Sequence, residues 1–151
     1  GTVRAIASDD GAIIWTATLP SRFESGAVSD GDDRVFLPGR NGILYCLSMI
    51  TGRVLWESDL HGQLKGVPVM FSPSSVLFGS YNGSIYCLAT ADGSISWRIS
   101  LAAGPIPSTP SLYRPGNLII AATLSGVVTA YRYVSPSTCP VLHWTRQLSK
   151  A

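Results

Sequence analysis

Apolar residues along this chain fall in short runs closed by Gly, Pro or small polar residues. "VFLPG" at 35–39, "VLFGS" at 76–80 and "LIIAAT" at 118–123 are one type. "ILYCL" at 43–47 and "SIYCL" at 84–88 are a second, rich in the β-branched and aromatic residues that suit a pleated surface. No stretch keeps apolar residues at helical spacing through three turns, so the pattern predicts an all-β protein and rules out an α/β one. The runs are apolar on both faces, as in strands covered on both sides.

The pattern repeats. Trp15, Trp56 and Trp97 are 41 residues apart, and so are Gly11, Gly52 and Gly93. Gly1, Gly42 and Gly83 share that spacing, with Gly126 following after 43. "NGILYCLSMITGRVLW" at 41–56 aligns without gaps to "NGSIYCLATADGSISW" at 82–97, and "GTVRAIASDDGAIIW" at 1–15 fits the same frame. The fourth copy, "SGVVTAYRYVSPSTCPVLHW", fits after a four-residue insertion before Trp144. Turns are expected at Asp10-Gly11, Thr51-Gly52 and Asp92-Gly93, where glycine supports the positive φ of a hairpin. Pro68 and Pro110 fall where a strand would start. Four strands in roughly 40 residues, repeated, is the arithmetic of a β-propeller blade. The units are 1–40 (starting in mid-blade), 41–81, 82–124 and 125–151, so the chain holds about three and a half blades. A closed ring takes about 4–8, which makes the chain a segment of a larger propeller. The Trp column, Trp144 included, is expected to pack near the outer rim with its N–H groups bonded to backbone.

Composition supports a folded core: 46% of the 151 residues are hydrophobic and only 13% are charged. A net charge of +2 without a basic cluster argues against nucleic acid as a partner. No apolar run approaches the ~20 residues of a membrane span, and no signal peptide is visible, although the chain opens without Met. Cys46 and Cys87 share a column with Ala5 and Ala130, the mark of a small buried side chain. A disulfide between them would have to cross a whole blade, beyond the ~7 Å reach between Cα atoms. Cys139 lies in the insertion and is expected at the surface. Three Cys without metal-type spacing favour a reducing, cytoplasmic setting.

"GILYCLSMITGRVLW", "GSIYCLATADGSISW" and the looser "GTVRAIASDDGAIIW" resemble the pyrroloquinoline-quinone-like repeat, whose blades carry G-x-x-Y-A-L-D-x-x-T-G-x-x-x-W. The resemblance covers essentially the whole chain and implies a ring of seven or eight blades. In style, "FGSYNGSIYCL" is most similar to the C-terminal propeller of β-alanine-activating, adenylate-forming enzymes. No adenylation motif is present, so such a parent would carry its enzyme domain elsewhere. The same repeat occurs in quinone-dependent dehydrogenases and in a bacterial outer-membrane assembly lipoprotein, and fold does not fix function. A dehydrogenase of that type would need a Ca²⁺ site, a catalytic Asp and, in many members, an adjacent Cys pair. This chain has no adjacent Cys pair, and Asp30, Asp32 and Asp33 in "SDGDDR" read as a solvated hairpin. His143 reads as a packing or surface residue. No catalytic residue, metal site or cofactor is expected.

The reading is therefore a non-catalytic binding or interaction module, with a quinone-dependent dehydrogenase fragment and a structural assembly factor as the alternatives. Its partner, a protein or small molecule, is expected at the loops 16–26, 57–66 and 98–107, with the short connections at Arg40-Asn41, Tyr81-Asn82 and Leu124-Ser125. Arg22, Glu24, Arg40, His61, Lys65 and Tyr81 are the candidate contact residues. The flanking blades of its own ring are the other expected partner.

Overall fold

The computed structural model of the protein describes residues 1–148; the last three residues of the unit 125–151 lie outside them. Strands β1 (Thr2–Ile6) and β2 (Ile13–Thr18) form a two-stranded sheet. Three four-stranded antiparallel sheets follow, each in sequence order. They are β3 (Val28–Ser29), β4 (Arg34–Pro38), β5 (Ile43–Ser48), β6 (Val54–Asp59); then β7 (Val69–Ser72), β8 (Ser75–Gly79), β9 (Ser84–Ala89), β10 (Ile95–Ser100); then β11 (Ser111–Tyr113), β12 (Leu118–Ala122), β13 (Val127–Arg132), β14 (Val141–Gln147). This is the half blade and three whole blades that the repeat predicts. The single helical element among the described residues is a 3₁₀ turn at Arg114–Gly116.

The second and third strands of each whole blade are its most deeply buried. The third strand of the first whole blade and the second and third of the next are covered on both faces, whereas in the last, β12 alternates between buried residues and half-buried or exposed ones. Residues 44–48 are all buried, as are 75–79 and 84–88. Outer strand β6 instead alternates between exposed and half-buried residues, one face turned to solvent. Cys46, Cys87 and Ala130 are fully buried, as the small-residue column requires, whereas Ala5 is half-buried.

Each outer strand carries a bulge immediately before its Trp. Trp15 pairs with Ala5 while Ile13 pairs with Ile6, leaving Ile14 as the extra residue. Leu55, Ser96 and His143 are extra in the same way. A bulge re-aims the side chains that follow it. Here it precedes an indole that reaches the neighbouring blade. Trp15 Nε1 donates to the Met49 carbonyl at 2.7 Å and Trp56 Nε1 to that of Thr90 at 3.0 Å. Trp97 Nε1 donates to the Pro136 carbonyl at 2.8 Å, and Pro136 lies in the insertion, which thus preserves the joint.

The turn glycines have a second role at these joints. Gly52 and Gly93 have φ of +71° and +72°, suited to the turn. They also lie against the preceding indole: a Cβ on Gly52 would sit 2.6 Å from the Trp15 ring, and one on Gly93 would sit 2.5 Å from Trp56. The column is glycine for close approach as well as for backbone angle.

Candidate functional site

The loops expected to face a partner are tied together by one backbone bond repeated in each whole blade. The Arg40 N–H donates to the Arg22 carbonyl at 2.9 Å, that of Tyr81 to Gln63 at 3.1 Å, and that of Leu124 to Pro105 at 3.0 Å. Each bond fixes the segment entering a blade against the turn between that blade's second and third strands. An Asn–Tyr pair reinforces it. Asn41 Nδ2 donates to the Tyr45 hydroxyl at 2.8 Å and to the Pro20 carbonyl at 3.3 Å. Asn82 Nδ2 donates to the Tyr86 hydroxyl at 2.8 Å, to Leu60 O at 2.7 Å and to His61 O at 2.9 Å. In the last blade Ser125 and Thr129 replace the pair together, and the Ser125 hydroxyl donates to the Ala103 carbonyl.

On this frame the candidate residues meet in pairs. Arg40 forms an ion pair with Glu24 at 2.6 Å. Lys65 Nζ stands 4.3 Å from the centre of the Tyr81 ring, a cation–π contact. Glu24 and Lys65 are 41 residues apart, as are Arg40 and Tyr81, so two columns hold an ionic pair in one blade and a cation–π pair in the next. Arg22 lines an open groove of about 450 Å³ with Pro20, Ser21, Arg40, Asn41 and Gln63. His61 stands apart. It is exposed, has a φ of +50°, and faces Asp59, whose carboxylate accepts the His61 N–H at 2.8 Å.

Sequence reading placed Gln63, Asn41 and Asn82 in these loops but named none of them among the contact residues. The signal for the Asn residues was present: Asn-Gly is followed by Tyr at the same distance in both blades, and the two change together in the last.

The acids of the "SDGDDR" hairpin, weighed above for a Ca²⁺ site, are already engaged with neighbouring amides and side chains. Burial tends to raise the Asp30 pKa, but the Asp32 and Arg34 amides and the Arg34 guanidinium outweigh it and hold the carboxyl below its usual range. The Asp33 carboxylate accepts from the Ser48 hydroxyl and the Ile50 amide. No group of three or more His, Cys, Asp or Glu residues comes together among the described residues. Burial pushes the Cys46 and Cys87 thiols up to about 12, far from the thiolate a nucleophile needs. Cys139 is exposed. No helix among the described residues is long and apolar enough to cross a membrane.

Residues 1–135 match the family described as outer membrane protein assembly factor BamB. No sequence among curated proteins matches the chain. The fold is similar to the crystal structure of BamB from Moraxella catarrhalis, with a TM-score of 0.86 at 23% identity, over 99% of this chain and 47% of that one. It is also similar to the computationally designed Ika8 protein (TM-score 0.79, 14% identity, 97% of this chain and 43% of that one). A third similar structure is the quinohemoprotein alcohol dehydrogenase from Comamonas testosteroni (TM-score 0.75, 16% identity, 97% of this chain and 32% of that one). The chain spans less than half the length of each of these structures.

Proposed function

This chain belongs to the family of the outer membrane protein assembly factor BamB, and on that premise we propose that it is a non-catalytic segment of a β-propeller that recognises a protein or small ligand on its loop face. The observation that carries the reading is the tied loop frame. It holds the Arg22 groove, the Arg40–Glu24 pair and the Lys65–Tyr81 pair on rigid sheets. Preorganised polar and aromatic groups around a shallow groove suit recognition, since little ordering entropy is lost on binding. The family favours a protein partner of the assembly-factor kind. The parent is a larger multidomain protein, and the blade style of "SIYCL" supports one that activates acyl or amino acids.

Titration calorimetry with pyrroloquinoline quinone and Ca²⁺ tests the non-catalytic reading. The expected outcome is no heat of binding at micromolar quinone, in keeping with acids already engaged in turns and thiols buried in the core. A clear Ca²⁺-dependent heat would overturn it and return the chain to the quinone-dependent dehydrogenases.

A further inference from the structure

The joint between the third and fourth sheets keeps its indole but loses its tyrosine. Tyr45 and Tyr86 stand three residues after Gly42 and Gly83, and both rings are buried in the first two joints. Three residues after Gly126 the chain has Thr129 instead. Two further columns change with it. In the second joint the Tyr86 hydroxyl donates to the Leu60 carbonyl at 3.0 Å, and Asn82 Nδ2 donates to the same carbonyl at 2.7 Å. One repeat later Ser125 replaces Asn82, and its hydroxyl donates to Ala103. The Leu101 carbonyl, counterpart of Leu60, is thereby left without a donor among the described residues. Arg98 covers the Tyr86 ring, its Cζ 5.4 Å from the ring centre, and Thr145 takes the place of Arg98 in the last sheet. Tyr131, in the column of Leu88, brings one ring back to the joint, and a space remains beside it.

That space is a cleft of about 330 Å³, lined by Leu101, Val127, Thr129, Tyr131, Leu142 and Thr145 among others. The strand register pairs Thr129 with Thr145 and Tyr131 with Leu142, on the face that packs against Trp97 and Leu101 of the preceding blade. Ala130 and Trp144 pair on the opposite face. The cleft therefore lies inside a joint whose two sheets both have all four strands, and it shares no residue with the Arg22 groove. A dry cavity of roughly 150 Å³ already holds a benzene ring, and small-molecule pockets begin near ~300 Å³. We infer that the cleft binds a small phenol. Its ring lies against Tyr131 and Leu142, and its hydroxyl donates to the Leu101 carbonyl as the Tyr86 hydroxyl donates to Leu60. The ligand thus supplies the group that the first two joints carry in their own sequence. The site goes beyond the loop-face reading and does not depend on it.

Titration calorimetry with p-cresol on the full-length protein tests it. The expected Kd is about 1 mM or tighter. 4-Methylanisole keeps the ring and the oxygen but cannot donate, and should bind roughly two- to tenfold more weakly. Thr129→Tyr combined with Tyr131→Leu rebuilds the pattern of Tyr86 and Leu88, fills the cleft from within, and should weaken p-cresol at least roughly tenfold. Thr145→Arg changes an exposed residue and restores the counterpart of Arg98. It should tighten p-cresol roughly two- to fivefold through a cation–π contact, and it keeps the test open if the double variant fails to fold. Cooperative thermal unfolding shows which variants are folded. No heat from p-cresol up to roughly 10 mM, a Kd unmoved by the folded variants, or 4-methylanisole binding as tightly as p-cresol would each overturn the inference. A capped tyrosine tripeptide that binds more tightly than p-cresol would overturn the free ligand and place the ring on a protein partner.

Discussion

The joint between the second and third sheets and the joint between the first and second are built from the same columns, yet only one is full. Around the fuller joint, Leu44, Cys46, Leu60, Leu64, Val76, Phe78, Tyr86 and Leu88 form one buried cluster with Phe36, and Val28 and Trp56 pack against it. Shifted back by one repeat, the other joint has Val3, Trp15, Leu19, Phe23, Val35, Leu37, Tyr45 and Leu47. Among the described residues it has no counterpart of Phe36 and Val28, since the sheet there consists of β1 and β2. An apolar groove of about 220 Å³ lies there, lined by Val3, Ala5, Trp15, Ala27, Val35 and Leu37 among others. The comparison teaches that the indole docks on the following turn in the same way at both joints, while the large side chain of the second strand fills the space between the sheets.

Deleting that side chain gives the largest contrast. Phe36 is wholly buried, so Phe36→Ala should cost about 3–5 kcal/mol, whereas Val3→Ala, at an open groove, should cost about 1 kcal/mol or less. Urea unfolding measures both, and equal costs would erase the distinction between the joints. The turn glycines sharpen the comparison at smaller scale. Gly93→Ala and Gly11→Ala share the left-handed strain of about 1–2 kcal/mol. Only Gly93→Ala also drives a methyl into an indole, so it should be the worse by about 1 kcal/mol or more in thermal unfolding. The smallest effect is read from thiols. A thiol reagent at mildly alkaline pH should modify Cys139 in the native protein and reach Cys46 and Cys87 only on unfolding. Because the folded state raises these two pKa values from 9.0 to about 12, it keeps protons that the unfolded chain releases. Their contribution is therefore complete below about pH 9 and declines as pH climbs towards 12, by up to about 1.4 kcal/mol per thiol per pH unit. Stability that stays flat across that interval would count against buried, protonated thiols.

Columns of one residue type made the fold legible. Gly52 and Gly93 mark turns, Trp15, Trp56 and Trp97 mark outer strands, and the Ala/Cys column marks a tight interior. The bulges were not legible, because an extra residue such as Leu55 looks like one more member of an apolar strand. The candidate site was half legible. Glu24, Arg40, Lys65 and Tyr81 could be placed on one face from the loop pattern, but that they satisfy one another requires their side-chain geometry. Their columns exchange ionic for cation–π chemistry between blades, so no single residue type marks them.

The bulge beside each Trp also limits how the protein can grow. A regular outer strand would leave a straight row of amide and carbonyl groups, a template on which a further strand could assemble radially. An extra residue at positions 14, 55, 96 and 143 breaks that row in every sheet. Radial extension is thus discouraged at all four sheets, while the indoles and turns offer attachment around the circumference. The sequence spends one residue per repeat to make assembly one-dimensional, so lengthening the polypeptide by whole repeats adds arc and leaves the thickness of the wall unchanged.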